Sequence, residues 1–232
     1  MARPIRAFYK GGFWHILNRG VDKTKIFRDK EDYVFYLYKI KETLKKYPLA
    51  IHAYNFLPNH IHYLIEQTTN EVLPSKFIAS IHTSLGNFIN HKYSRVGHLF
   101  QDRCKIKTIK ENEHLLAVSF YINLNKILEK LQHLDKSLVS QNELEELLKE
   151  AESDPWSSYP VYLGLREDGI TQDRLILSLI SDDIKKAREE YKKMAREFII
   201  SGYFLKTRDL SFEKLGSDPG QTPSYGDKIA RL

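Results

Sequence analysis

The chain has 232 residues and 42% hydrophobic content, enough for one well-filled core with an appendage. Its single cysteine, Cys104, excludes an intrachain disulfide and a zinc-finger ligand set, and no apolar run approaches the roughly 20 residues of a membrane span. Residues 1–130 hold 21 Lys and Arg against 11 Asp and Glu, a balance of +10, whereas residues 131–232 hold 15 against 19, a balance of −4, so the N-terminal half suits neutralising phosphates. The first ten residues lack the apolar stretch of a signal peptide, which makes the cytoplasm the expected location.

A first strand, Phe13–Asn18, opens after Gly11-Gly12 and ends at Asn18-Arg19-Gly20. A helix is predicted from Lys30 to Lys46, since Tyr33, Tyr36, Leu37, Ile40 and Leu44 recur at spacings of three and four and Pro48 stops it. Leu49–Leu57 reads as a strand, Pro58-Asn59 as a turn and His60–Gln67 as the hairpin partner. Pro74 suits the first turn of a second helix reaching about Tyr93, with Phe77, Ile78, Ile81, Leu85, Phe88 and Ile89 as its apolar stripe. Arg103–Lys110 alternates as a fourth strand, placing Arg103, Lys105 and Lys107 on one face, a track for a nucleic-acid backbone, and Cys104, Ile106 and Thr108 on the other. The fold class predicted is therefore α+β, with a ferredoxin-like βαββαβ core whose first and third strands share the sheet centre.

The segment Glu113–Lys130 reads as one further helix. At about 100° per residue Tyr121 and Asn125 project on one face with His114 beside them, while Ser119, Asn123, Lys126 and Lys130 fill the opposite face. Leu131–Val139 looks like a linker. Ser140-Gln141-Asn142-Glu143 is a capping box for an acidic helix through Glu152, 156–164 is an aromatic turn-rich segment, and Asp182–Ser201 is an amphipathic helix ended by Gly202. Gly, Pro, Ser and charge dominate from Lys206 onward, so three parts are expected: a core over 1–130, a helical C-terminal extension packed on it over 131–205, and a flexible tail over 206–232.

His60-Ile61-His62 carries the chemistry. On a strand both imidazoles share a face, and Ile61, Tyr63 and Ile65 take the other. Asn125 faces inward on its helix, where an unpartnered amide costs on the order of 1 to 3 kcal/mol. Two imidazoles and an amide oxygen are three neutral metal ligands that leave positions open for a phosphate oxygen. A tyrosine one helical turn from Asn125 would then stand as an in-line nucleophile, with His114 as one candidate for the base that takes its proton.

Asn18-Arg19-Gly20, Leu57-Pro58-Asn59-His60-Ile61-His62, Gly97-His98-Leu99-Phe100-Gln101-Asp102-Arg103, Tyr121-Ile122-Asn123-Leu124-Asn125 and Trp156-Ser157-Ser158-Tyr159 through Leu163-Gly164 stand in the order seen in single-tyrosine transposases. Over about residues 10–164 the chain resembles the IS200-like group, and within it the REP-associated tyrosine transposases of the HUH endonuclease superfamily. The resemblance implies cleavage of single-stranded DNA at or near a hairpin, a 5′-phosphotyrosine and a free 3′-hydroxyl, Mg²⁺ or Mn²⁺ as cofactor, and action as a monomer or a homodimer. It implies Tyr121 as nucleophile, His60, His62 and Asn125 as metal ligands, and Arg19, Gln101, Arg103, Lys105 and Lys107 as DNA contacts. Asn123 replaces a frequent His and Lys126 a frequent Pro, and neither change removes a catalytic group. Two other classes fit the same residues: a host-adapted protein that binds hairpins without moving them, and a metal-dependent phosphoesterase with Tyr121 only in the core.

Overall fold

The computed structural model describes residues 8–110, 112–132 and 140–201. Four strands, β1 (Phe13–Arg19), β2 (Ala50–Phe56), β3 (His60–Glu66) and β4 (Lys105–Ile109), form one antiparallel sheet in the order β2-β3-β1-β4. Helices α1 (Lys30–Lys46) and α2 (Pro74–Lys92) interleave with them, which completes the expected βαββαβ order and puts β1 and β3 at the centre.

Alternation splits the sheet into two cores. Trp14, Ile16, Ile61, Tyr63 and Ile65 point to one side and meet Tyr36 and Ile40 of α1 and Phe77, Ile81 and Leu85 of α2. α1 starts at a capping box in which Asp29 and Asp32 exchange side-chain and backbone bonds. Asp32 is fully buried, and Lys92 and Tyr93 at the end of α2 both bond to it, so the cap also ties the two helices together.

On α2, His82 stacks on Phe100 at 4.2 Å between ring centroids and receives a bond on Nδ1 from Asn18 Nδ2 at 3.2 Å. Burial pushes its pKa down from 6.5 to about 3. Below pH 6.5 the unfolded chain binds a proton at this imidazole that the native chain refuses until about pH 3. His82 therefore removes about 1.4 kcal/mol of stability per pH unit as pH falls through that window. His82→Phe should flatten this slope in urea unfolding measured at successive pH values; an unchanged slope would contradict the assignment.

The second sheet face lies under α3 (Asn112–Asn123) and α4 (Asn125–Gln132), followed by α5 (Gln141–Glu152), α6 (Tyr159–Tyr162), α7 (Arg174–Ser178) and α8 (Ile184–Ile200). Here the structure departs from one continuous helix over 113–130, because the chain breaks at Leu124. The break is stabilised by distant groups: Asn55 Nδ2 donates to the carbonyls of Ile122 and Asn123, and Ser157 Oγ donates to Asn123 as well. Leu131 and Gln132 extend α4 rather than starting a linker, while 133–139 and the expected tail over 206–232 lie outside the described residues. No described helix is long and apolar enough to cross a membrane.

Ser119 and Asn123, expected opposite the site on an outer face, are buried beneath α8. Both bond to the Tyr191 hydroxyl, at 3.0 and 2.9 Å. Tyr191→Phe leaves Asn123 Nδ2 without this acceptor and should cost about 1–3 kcal/mol, read as a lower urea midpoint at unchanged slope. Lys126 and Lys130 are likewise not free on that face, since they pair with Glu150, and Lys126 also with Asp154.

Candidate active site

Strand register decides which side chains meet. Arg19 pairs with His60, Leu17 with His62 on one side and Lys105 on the other, and His15 with Lys107. All of these therefore share the sheet face that α3 covers. Both imidazoles are buried, His60 at 3% and His62 at 2% exposure. α3 sets the Tyr121 ring edge-on to His15 and His62, with centroids 5.7 and 5.8 Å away. The break at Leu124 then starts α4 at Asn125, whose Oδ1 lies 3.1 Å from His60 Nε2.

A cavity of about 410 Å³ is lined by His60, His62, Tyr121 and Asn125 together with Arg19, Gln101, Arg103 and Lys105. The structure thus brings together the four expected catalytic and ligand residues and four of the five expected DNA contacts. Lys107 does not line this cavity; it sits beside His15, where its charge and above all burial lower that imidazole to about pKa 3. His114, one candidate for the base near Tyr121, is also not among the lining residues.

Three residues escaped the sequence reading. His15 Nε2 lies 3.0 Å from His62 Nδ1, which fixes the orientation of that ring and leaves Nε2 of His62 for the cavity. Nothing in one sequence reports strand register, so His15 could be placed on a strand but not beside His62. Lys23 and Glu129 also line the cavity, and Glu129 Oε1 is 3.5 Å from His60 Nε2. Glu129 stands one turn beyond Asn125 on α4, and that spacing was a usable signal. Lys23 follows Asp22 in a tight turn where both have left-handed φ, +58° and +51°, a strain of the kind stored at functional sites. Gly20 opens this turn because a Cβ there would collide with the Thr24 carbonyl oxygen.

The donor set fits a divalent cation by its chemistry. Burial lowers His60 to about pKa 4, and burial followed by the charges of His60, His15 and Arg19 takes His62 well below its usual value, so both rings are neutral, the ligating form, at neutral pH. His60 Nδ1 lies 2.7 Å from Asn59 Oδ1 and its Nε2 3.1 Å from Asn125 Oδ1, and a neutral imidazole, with one N–H, can donate to only one of these two oxygens. With the proton on Nδ1, a cation shared by Nε2 and Asn125 Oδ1 would satisfy both atoms. Among the described residues no three His, Cys, Asp or Glu side chains gather as a metal-binding group, so the set rests on the amide as third donor. Arg19 adds an enclosed Nε without a hydrogen-bond partner, a donor suited to an anion such as a phosphate.

Residues 10–125 match the family described as Transposase IS200 like. A search of curated protein sequences found no match. Among solved structures, the REP-associated tyrosine transposase bound to a REP hairpin is similar at a TM-score of 0.53 and 17% identity, covering 73% of this chain and 90% of that one. A candidate transposase from Deinococcus radiodurans R1 aligns over 56% of this chain and 97% of its own at 12% identity, with a TM-score of 0.37. The fold is shared with the first of these, and the family match spans half of the 232 residues. The chain belongs to the IS200-like transposase family, whose members are enzymes acting on DNA.

Proposed function

We propose that this transposase cuts single-stranded DNA at hairpin-bearing ends and rejoins it through a 5′-phosphotyrosine on Tyr121. One observation carries the reading: the Tyr121 ring meets His62 while Asn125 Oδ1 meets His60 Nε2, all within one cavity that also holds Arg19, Arg103 and Lys105. In the reaction, the Tyr121 oxygen attacks phosphorus in line and loses its proton. The bond from phosphorus to the 3′ oxygen breaks, and that oxygen leaves as a hydroxyl after taking up a proton. Attack by the 3′-hydroxyl of another strand reverses the step and joins the DNA without ATP.

His60, His62 and Asn125 would hold Mg²⁺ or Mn²⁺, with the Glu129 carboxylate close by to offset charge. The bound ion would supply Lewis-acid polarisation of the scissile phosphate. His15 stays neutral through burial, so its part is to orient His62 rather than to store positive charge. Arg19 would receive the phosphate, and Gln101, Arg103 and Lys105 would position the strand around it. Hairpin recognition is supported by the structural relative, which is bound to a REP hairpin. Because one chain supplies both Tyr121 and the imidazoles beside it, a monomer suffices for the chemistry.

Hairpin oligonucleotides with single-stranded flanks, taken from the DNA surrounding the protein's own gene, test this. With Mn²⁺ a denaturation-resistant band of protein plus DNA fragment is expected, and with EDTA none. Turnover of small phosphoesters without any trapped DNA would instead identify a phosphoesterase.

A further inference from the structure

A second cavity, about 640 Å³, lies between α2 and the loop 97–104 and shares Asn18, Gln101, Asp102 and Arg103 with the candidate nuclease cavity. We infer that it receives an unpaired nucleobase of the same DNA strand whose backbone crosses the nuclease site, an inference that rests on the proposed function. Its volume falls in the range of small-molecule pockets. Its walls combine apolar Ile78, Leu99 and Phe100 with the amides of Asn87 and Gln101, a lining that suits a base better than a phosphate.

Gly86 points to an open pocket. It sits in the interior of the 19-residue α2, where glycine is an unfavourable choice, yet a Cβ built on it meets only Leu99 Cβ at 3.9 Å. Packing does not require glycine there. What the missing side chain leaves is depth in the cavity.

His82 supplies the polar signal. The Arg19 backbone N–H donates to Asn18 Oδ1, which fixes Asn18 Nδ2 as the donor to His82 Nδ1. The neutral imidazole must then carry its proton on Nε2, and that enclosed N–H has no hydrogen-bond partner. An acceptor on the edge of an entering base would satisfy it, with the Phe100 ring stacked on His82 as part of the wall. The opposite wall is preformed, because Asn90 Nδ2 donates to the Gly97 carbonyl and Asn90 O accepts from Arg95 N–H. The chain of contacts from His82 through Asn18 to Arg19 joins the two cavities.

The probe is a fluorescein-labelled hairpin oligonucleotide with a short single-stranded flank, titrated in EDTA so that no cleavage intervenes, beside copies with one abasic site at each unpaired position. For the native chain, one abasic position should weaken binding about tenfold or more, the scale of losing one base contact. In Gly86→Leu, the intact probe should bind correspondingly weakly and that abasic penalty should vanish. His82→Phe, which keeps a ring on Phe100 and removes the donor, should reduce the same penalty and stands in if Gly86→Leu does not fold. Penalties equal in native and variant chains, or absent throughout, overturn the inference. Adduct formation in Mn²⁺ at saturating DNA is scored separately: its absence from the native chain, with the abasic penalty intact, counts against the proposed cleavage and not against the base pocket.

Discussion

Tyr121→Phe is expected to abolish the covalent protein–DNA adduct while leaving the unfolding temperature and Mn²⁺ affinity close to those of the native chain. The substitution removes one oxygen and keeps the ring edge-on to His15 and His62, so the packing of α3 on the sheet survives. Loss of an attacking group costs on the order of a million-fold in well-studied hydrolases, which places residual cleavage below detection on a gel. Binding of a hairpin probe in EDTA should persist, since Arg19, Arg103 and Lys105 are untouched. An adduct that survives in the variant would move the nucleophile elsewhere. Loss of probe binding together with the adduct would mean that Tyr121 acts through the fold and not through its hydroxyl.

The parts of this site that a sequence exposes are those set by local periodicity. Period-two alternation put His60 and His62 on one face of β3, and the spacing of four between Tyr121 and Asn125 survived the helix break because Leu124 N–H still bonds to the Phe120 carbonyl and Leu128 N–H to Leu124. The break itself was hidden, since the groups that take up the freed carbonyls, Asn55 and Ser157, lie far away in the chain. Long-range register hid His15 for the same reason, while His114, which helical spacing sets beside Tyr121, does not line the cavity. The charge balance of the two halves was also partly consumed inside the molecule. Lys126 and Lys130 of α4 meet acidic partners on and just after α5, so these cations serve cohesion, whereas Arg19 and Arg103 line the cavity. A basic half is thus informative about nucleic acid only once the cations paired within the fold are set aside.

Metal affinity separates the donors more sharply than any rate. His60→Ala is expected to weaken Mn²⁺ binding by about 100-fold or more, because even outer groups around metal sites cost 10- to 100-fold when removed. The same change breaks the contact of His60 Nε2 with Asn125 Oδ1, so His60→Ala and Asn125→Ala should lose less together than the sum of their separate losses. Glu129→Gln should weaken binding by roughly tenfold, since it neutralises a carboxylate 3.5 Å from His60 Nε2 and leaves the imidazoles in place. Calorimetric titration reads these values directly, and unfolding reads them independently. An ion present at about 100 times its dissociation constant stabilises the native chain by about 2.7 kcal/mol, a gain that a site about 100-fold weaker in His60→Ala should cut to about 0.4 kcal/mol at the same Mn²⁺ concentration. Equal Mn²⁺ stabilisation of the native chain and His60→Ala would place the ion outside this cavity, and the contact of His60 Nε2 with Asn125 Oδ1 would then be an ordinary N–H donation from the ring to the amide oxygen.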